Sequence, residues 1–274
     1  MNSLLAPKAA RQPVAPPQQH DLLVLWQNRT SRAIDVIGRL KYDGEYYSFQ
    51  YTKNSSLVPG FKTLPGLRSL HTNHRSERLF PLFAQRVMDP SRVGYEKYIS
   101  QLGLDEDSST PWEQILRSGG RREGDTLQFL PTPMVRDGQL ESSFLAHGVR
   151  WISTKNLLTE GGETRVSPEE QEYALRNLHP GAPLGLLAET GNPSNPNAAL
   201  LLAGNVPVAY TPNALTSIVR RVWNTAELSA VRVNGPDAPP HLRLVVSLRA
   251  TVGSGFAIDP EGLWEPIGGE AWSN

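Results

Sequence analysis

Alternation and changes of period along the chain mark out its elements. An uninterrupted apolar run, Leu22-Leu23-Val24-Leu25-Trp26, follows Asp21 and reads as a strand. Two strand-like arms, 33–42 and 45–52, flank Asp43-Gly44, a dipeptide suited to a two-residue hairpin because both turn positions need positive φ. Tyr47, Phe49 and Tyr51 alternate along the second arm and predict one buried aromatic face. A Pro/Gly-rich stretch from Pro59 to Leu70 follows, and then the period lengthens. Leu79, Phe80, Leu82, Phe83, Val87 and Met88 fit a helix, as do Tyr95, Tyr98, Ile99 and Leu102. A third helix has the fullest punctuation: Thr110 as N-cap, Pro111 in first position, Glu113 completing a capping box and Gly119-Gly120 as the stop. A returning strand is predicted over 126–130 and a linker over 131–138.

The second half reads mostly as strand, with candidates at 143–152, 184–190, 198–203, 206–211, 228–234 and 242–251. Ser167-Pro168-Glu169-Glu170 opens a helix to Leu178, and Asn213 caps another through Trp223. This spacing suggests a small barrel or sandwich. The chain is therefore expected to be α+β, with one unit over 21–138 and a second over 141–257. The proline-rich segment 1–20 reads as a disordered tail, which predicts unprotected amides there in hydrogen exchange. Residues 258–274, without any period, read as a loosely attached tail.

Composition narrows the classes. The chain has 274 residues, 39% hydrophobic and 20% charged, and no apolar run approaches the roughly 20 residues of a membrane-spanning helix. Without cysteine there is no disulfide, thiolate metal site or thiol nucleophile, and a reducing cytoplasm is the expected setting. Leu4-Leu5-Ala6 is too short for the core of an export signal. Net charge is zero, but residues 1–140 hold 18 basic and 14 acidic side chains against 9 and 13 in residues 141–274. Neither half is basic enough for nucleic-acid binding driven by phosphate attraction alone. Six basic residues between Lys62 and Arg92 read as a solvated face.

Chemical motifs are sparse. There is no phosphate-binding Gly-x-x-x-x-Gly-Lys loop, no Gly-x-Ser-x-Gly elbow, and Gly253-Ser254-Gly255 opens no helix. His71-x-x-His74 lacks a third ligand nearby, and Asp105-Glu106-Asp107 reads as a surface cluster, so no metal or cofactor is expected. Ser118-Gly119-Gly120-Arg121-Arg122 could cradle an anion, but a helix stop followed by surface arginines is the simpler reading. No enzyme declares itself.

One constellation is more specific. His147-Gly148-Val149-Arg150-Trp151 is followed by Gly191-Asn192-Pro193-Ser194-Asn195-Pro196-Asn197-Ala198, and then by Val206-Pro207-Val208-Ala209-Tyr210-Thr211-Pro212 before a helix. In this order the segments, about 143–257, resemble the HIRAN domain. The resemblance implies an OB-like β-barrel with two helices that captures single-stranded DNA or a free DNA 3′ end. It implies that Arg150 and Trp151 hold the backbone and stack on the terminal base. Asn192 would contact the terminal nucleotide, and Tyr210 and Asn213 the phosphates. Where relatives carry an aromatic and an aspartate, this chain has Ser194 and Asn195, which removes one face of a base sandwich and weakens selectivity for a 3′-hydroxyl. Asn197 is expected to fix the loop. Residues Ser48-Phe49-Gln50-Tyr51, Leu64-Pro65 and Leu79-Phe80-Pro81-Leu82-Phe83 make the first half similar to the region before the kinase core of HipA-type toxins, with no counterpart of that core.

The residues by themselves leave alternatives open. A strand tryptophan is more often core than platform, and Tyr210 and Trp223 could equally pack a barrel. Arg150, between Val149 and Trp151, is costly to bury and so is expected to face solvent or ligand. The resulting expectation is a non-enzymatic protein binding single-stranded DNA or DNA ends, in bacterial repair or defence. The alternative is a protein-interaction module, antitoxin-like or an adaptor, in which the barrel has lost DNA binding. Besides DNA, another protein is a candidate partner through the first unit. The nine basic and eight acidic residues of 143–257 predict shallow salt dependence.

Overall fold

The computed structural model describes residues 21–122, 124–192 and 195–268, so the expected tail at 1–20, the departure at Ser194 and the last residues of 258–274 lie outside it. Strands β1 (Asp21–Gln27), β2 (Ile34–Tyr42), β3 (Tyr47–Tyr51), β4 (His74–Ser76) and β5 (Leu127–Pro131) form one antiparallel sheet in the order β4-β3-β2-β1-β5. Between β4 and β5 lie α1 (Pro81–Ala84), α2 (Tyr95–Gln101) and α3 (Pro111–Ser118). Interior strand β1, between β2 and β5, is buried on both faces: Leu22 and Val24 join one apolar cluster, Leu23 and Leu25 the other. That is why its sequence is an unbroken apolar run rather than an alternation.

Tyr47, Phe49 and Tyr51 do share one buried face with Phe83, Trp112 and Ile115. The fully buried Tyr51 hydroxyl donates to the Leu67 carbonyl at 2.7 Å and accepts from Leu64 N–H at 2.6 Å. The Asp43 turn is longer than expected. Its carboxylate accepts from Glu45 and Tyr46 N–H, and only Gly44 takes positive φ, so an Asp-capped loop replaces the two-residue turn. The helix expected over 79–88 shrinks to α1, after which Arg86 and Val87 N–H donate to the carbonyls of Phe83 and Ala84 three residues back, and Met88 N–H is taken by the buried side chain of Gln114 at 2.8 Å. α3 follows its punctuation: Thr110 Oγ1 accepts from Glu113 N–H at 3.2 Å, and Gly119 and Gly120 take positive φ.

The second sheet takes β6 (Met134–Arg136), β7 (Gln139–Leu145), β10 (Pro183–Ala188), β11 (Ala199–Ala203), β12 (Val206–Tyr210), β13 (Ala226–Val233) and β14 (Leu244–Thr251), in the order β12-β11-β10-β13-β14-β7-β6. The expected linker thus contributes a strand. Between β7 and β10 come α4 (Val149–Ile152), a small hairpin of β8 (Leu157–Thr159) and β9 (Gly162–Thr164), and α5 (Pro168–Arg176); α6 (Thr216–Arg221) precedes β13. The sheet curls into a half-barrel until His147, just past β7, pairs with Tyr210 on β12 through two backbone bonds of 2.9 and 2.8 Å. The fold is α+β. Both sheets feed one core, in which Leu23, Leu25, Val36 and Leu130 pack with Leu140, Phe144, Val246 and Leu248.

Two features differ from the sequence reading and matter for the site. The strand expected over 143–152 ends at Leu145, and 149–152 form a helical turn. The chain after β14 is strapped down rather than loose. Phe256, Ile258 and Trp264 pack on the shared core, Asn54 N–H donates to Leu263 O, and Ile267 N–H donates to Tyr51 O.

Buried Gln171 on α5 ties the elements near the site together, donating from Nε2 to Val149 O at 2.7 Å and Val208 O at 2.9 Å. Gln171→Leu leaves both carbonyls without this donor. It is expected to lower stability by about 1–3 kcal/mol, read as a shift of the urea midpoint at unchanged slope. An unmoved midpoint would contradict this role.

Candidate nucleic-acid interface

β1 and β5 end side by side, with Gln27 N–H donating to Thr126 O at 2.7 Å. This places the turn after β1 and the loop before β5 at one end of the first sheet. The half-barrel brings α4 and the short turn at 240–242 to face them. Between these walls lies a cleft of about 780 Å³ lined by Arg29, Arg32, Arg121, Arg122 and Arg150, together with Trp151 and His241. Among the described residues its single lining carboxylate is Asp125, which is ion-paired with buried Arg86. Arg29, Arg32, Arg121 and Arg150 have no ion-pair partner among the described residues.

Local sequence fixes the two walls. Glycines at 119 and 120 end α3 with left-handed backbone, and a Cβ on Gly120 would meet the Phe129 ring at 2.5 Å; the chain therefore turns sharply, delivering Arg121 and Arg122 to the cleft. Gly148 has φ 67° and a Cβ there would lie 2.7 Å from the Tyr210 ring, so only glycine suits the entry to α4. The helical turn then aims Trp151 outward, 52% exposed, with the Arg150 guanidinium 4.4 Å from its ring centre. Trp151 is thus a surface ring rather than a core strand residue. Trp223, by contrast, packs against the core.

The other predicted residues gather elsewhere. Asn192 donates to Glu189, Asn195 Nδ2 donates to Asn213 Oδ1 at 3.0 Å, and Asn195 N–H donates to Asn192 Oδ1 at 3.2 Å. Asn197 N–H donates to Asn195 Oδ1, so it is Asn195 that braces this loop. Lys155 pairs with buried Glu189 at 3.1 Å and sits over the Tyr210 ring. Burial, followed by Glu189, raises the Tyr210 phenol above its ordinary value and keeps it protonated. Asn213 does not cap its helix: its side chain is turned to Asn195, and Pro212 precedes the turn. Asn192, Asn195, Tyr210 and Asn213 therefore form one polar patch behind α4, and none of them lines the arginine cleft. Arg29 and Arg32 are not among the sequence candidates, and Arg121 and Arg122, weighed as an anion cradle, read there as surface arginines instead. The clue available was the Ser118–Arg122 stretch, which is both a helix stop and part of an anion-facing wall.

Burial, then Arg121, then His241, push the His147 imidazole down to about 3; burial and Arg121 bring His241 to about 4. Both rings are neutral in the folded chain at pH 7, whereas in the unfolded chain they protonate near 6.5. Their contribution to stability is full above about pH 6.5 and is lost as pH falls through 6.5 toward 4 and then 3. Each ring adds about 1.4 kcal/mol per pH unit to that fall. Urea midpoints measured from pH 7 to 4.5 should decline, and His241→Gln should flatten the decline by about one proton. A pH-independent midpoint would contradict the buried neutral state.

No group of three or more His, Asp or Glu side chains able to hold a metal occurs among the described residues, and no helix there is long and apolar enough to cross a membrane. No family model matches the chain, and neither a curated protein nor a solved structure matches it.

Proposed function

We propose that this protein binds DNA without turning it over, holding single strands or strand ends in the arginine cleft. The observation that carries this reading is the cleft itself: five arginines and a half-exposed tryptophan converge on it, with one described carboxylate that is already paired. Guanidinium groups hold phosphates, and an outward ring beside them offers a base a stacking surface. A duplex, with its bases paired inward, could use the arginines but not the ring. Within the same proposal residues 141–257 act as a HIRAN-like barrel and 21–138 as a HipA-N-like unit, which together build the two walls. Repair or defence of bacterial DNA is the setting such a binder would suit. A protein-interaction module remains the competing reading, because the Asn192, Asn195, Tyr210 and Asn213 patch is bound up with itself and Glu189.

Fluorescence anisotropy with single-stranded and duplex oligonucleotides across a salt series tests the proposal. Four of the cleft's arginines, Arg29, Arg32, Arg121 and Arg150, have neither an ion pair nor a side-chain hydrogen bond among the described residues, which implies about four phosphate contacts and hence a slope of log K against log salt near −3 for single strands. That is steeper than the barrel's own charge balance suggests, because four of the cleft's five arginines, Arg29, Arg32, Arg121 and Arg122, lie outside the barrel. Absence of binding at low salt would reject the proposal in favour of the interaction module.

A further inference from the structure

We infer that the inner corner of the cleft, where Arg121, Arg150 and His241 meet with His147 behind Arg121, receives a phosphomonoester, the terminal phosphate of a nucleic-acid strand. This rests on the DNA-binding reading and adds which part of the strand the corner takes.

Arg121 stands between two cavities. On one side is the cleft that it lines with Arg150 and His241; on the other is a pocket of about 300 Å³ that it lines with His147, Phe129 and Phe144. The corner therefore has a wet mouth and an apolar back, where charge interactions are less screened than in open solvent. No described carboxylate forms an ion pair with any of the four side chains.

Nearby charges from the neighbouring elements are otherwise engaged. Arg117 on α3 pairs with Glu113, and Arg232 on β13 donates to the Leu102 carbonyl. Arg243, two residues past His241, pairs with Glu172 on α5. Across the cleft, Asp125 is held by Arg86, and Arg122 reaches Gln85. Arg29 and Arg32 remain on the far wall, placed to follow the strand onward.

The corner thus presents two permanent cations and the neutral His241 imidazole to the cleft, with the neutral His147 imidazole behind Arg121, and no described carboxylate pairs with them. An internal phosphodiester brings one negative charge. A terminal phosphate brings up to two, and an additional oxygen to accept hydrogen bonds. The same Arg121 charge that disfavours protonation of both imidazoles would be offset by the incoming dianion. An opposite charge at close range favours the imidazolium, which then donates to phosphate. The response is larger for the more charged group, so the corner discriminates a phosphorylated end from the chain interior and from a hydroxyl end.

Three internally labelled single strands of one sequence test this: one with a 5′-phosphate, one with a 3′-phosphate, and one with hydroxyls at both ends. One phosphorylated strand should bind about tenfold tighter or more than the hydroxyl strand, as charge-assisted hydrogen bonds allow, and the winning arm identifies which end is read. His241→Gln and Arg121→Gln should each reduce the preference to about twofold. The histidine resonances provide a readout that a merely structural role would not move. The pKa values of His147 and His241 should rise on adding the phosphorylated strand and stay in place with the hydroxyl strand. His147→Gln risks the core, so His241→Gln, on a short surface turn, carries the test. Equal affinity for all three strands, or a preference unchanged in both variants, overturns the inference and leaves DNA binding standing. Failure of every strand to bind overturns both.

Discussion

Replacing Arg150 and Trp151 together by alanine is expected to weaken single-stranded DNA binding by about ten- to a thousandfold. Stacking of one base contributes about 1–3 kcal/mol, and loss of one arginine–phosphate contact lowers the single-strand salt slope by about 0.7. The two losses should not simply add. The Arg150 guanidinium lies 4.4 Å from the Trp151 ring centre, so removing the cation also frees the ring that would meet the base. Folding should survive, because Trp151 is 52% exposed and Arg150 lies on the surface beside it. Anisotropy at two salt concentrations measures the affinity and slope, and a urea midpoint within about 0.5 kcal/mol of wild type shows that the loss is local. Equal affinity for wild type and the double variant would remove this site from the binding surface. Trp151→Ala alone should affect duplex binding little, since a paired base has no free face to stack.

The largest stability effect is expected from ending the chain at Gly253. This removes Phe256, Ile258 and Trp264 from the shared core, and Ile267 from the cluster around Tyr51. It also removes the carbonyls of Leu263 and Glu265 that accept from Asn54 and Lys53 N–H, and those of Ala257 and Ile258 that accept from Arg221. Loss of several partly buried large apolar side chains is worth about 3–5 kcal/mol, a substantial part of a typical domain's stability. Trp264→Ala within the intact chain should reproduce a smaller share of this, about 1–3 kcal/mol. A truncated chain with an unchanged melting temperature would show that the strap contributes nothing.

The elements most legible from the sequence were those whose signals are local. Thr110, Pro111 and the two glycines bound α3, and Ser167 caps α5 by accepting from Glu170 N–H at 3.1 Å, because capping bonds lie within one turn of chain. Tyr47, Phe49 and Tyr51 announced a buried face because strand side chains alternate with period two. The first helix misled because Leu79, Phe80 and Phe83 satisfy a helical period, whereas the spacing of Phe80 and Phe83 serves a ring cluster with Phe49 and Phe129. Trp151 misled because nothing near it reveals that Gly148 stops the strand; the demand for glycine comes from the Tyr210 ring, distant in sequence. The C-terminal strap has no period since its anchors are single contacts to β3, α6 and the core, not a continuous ladder.

Sequence alone therefore determined the α+β composition, most strand positions, two of the helix starts, and the outward orientation of Arg150, whose charge is too costly to bury unpaired. Tertiary structure decided which charges meet. Arg29 and Arg32 follow β1, Arg121 and Arg122 follow α3, and Arg150 sits on α4, yet pairing of β1 with β5 and the curl of the second sheet set them around one cleft. Tertiary structure likewise drew Asn192, Asn195 and Asn213 into a network around Glu189 and away from that cleft. The reason is range: capping and alternation act between residues a few positions apart, whereas a charge field depends on separation in space and is indifferent to separation along the chain.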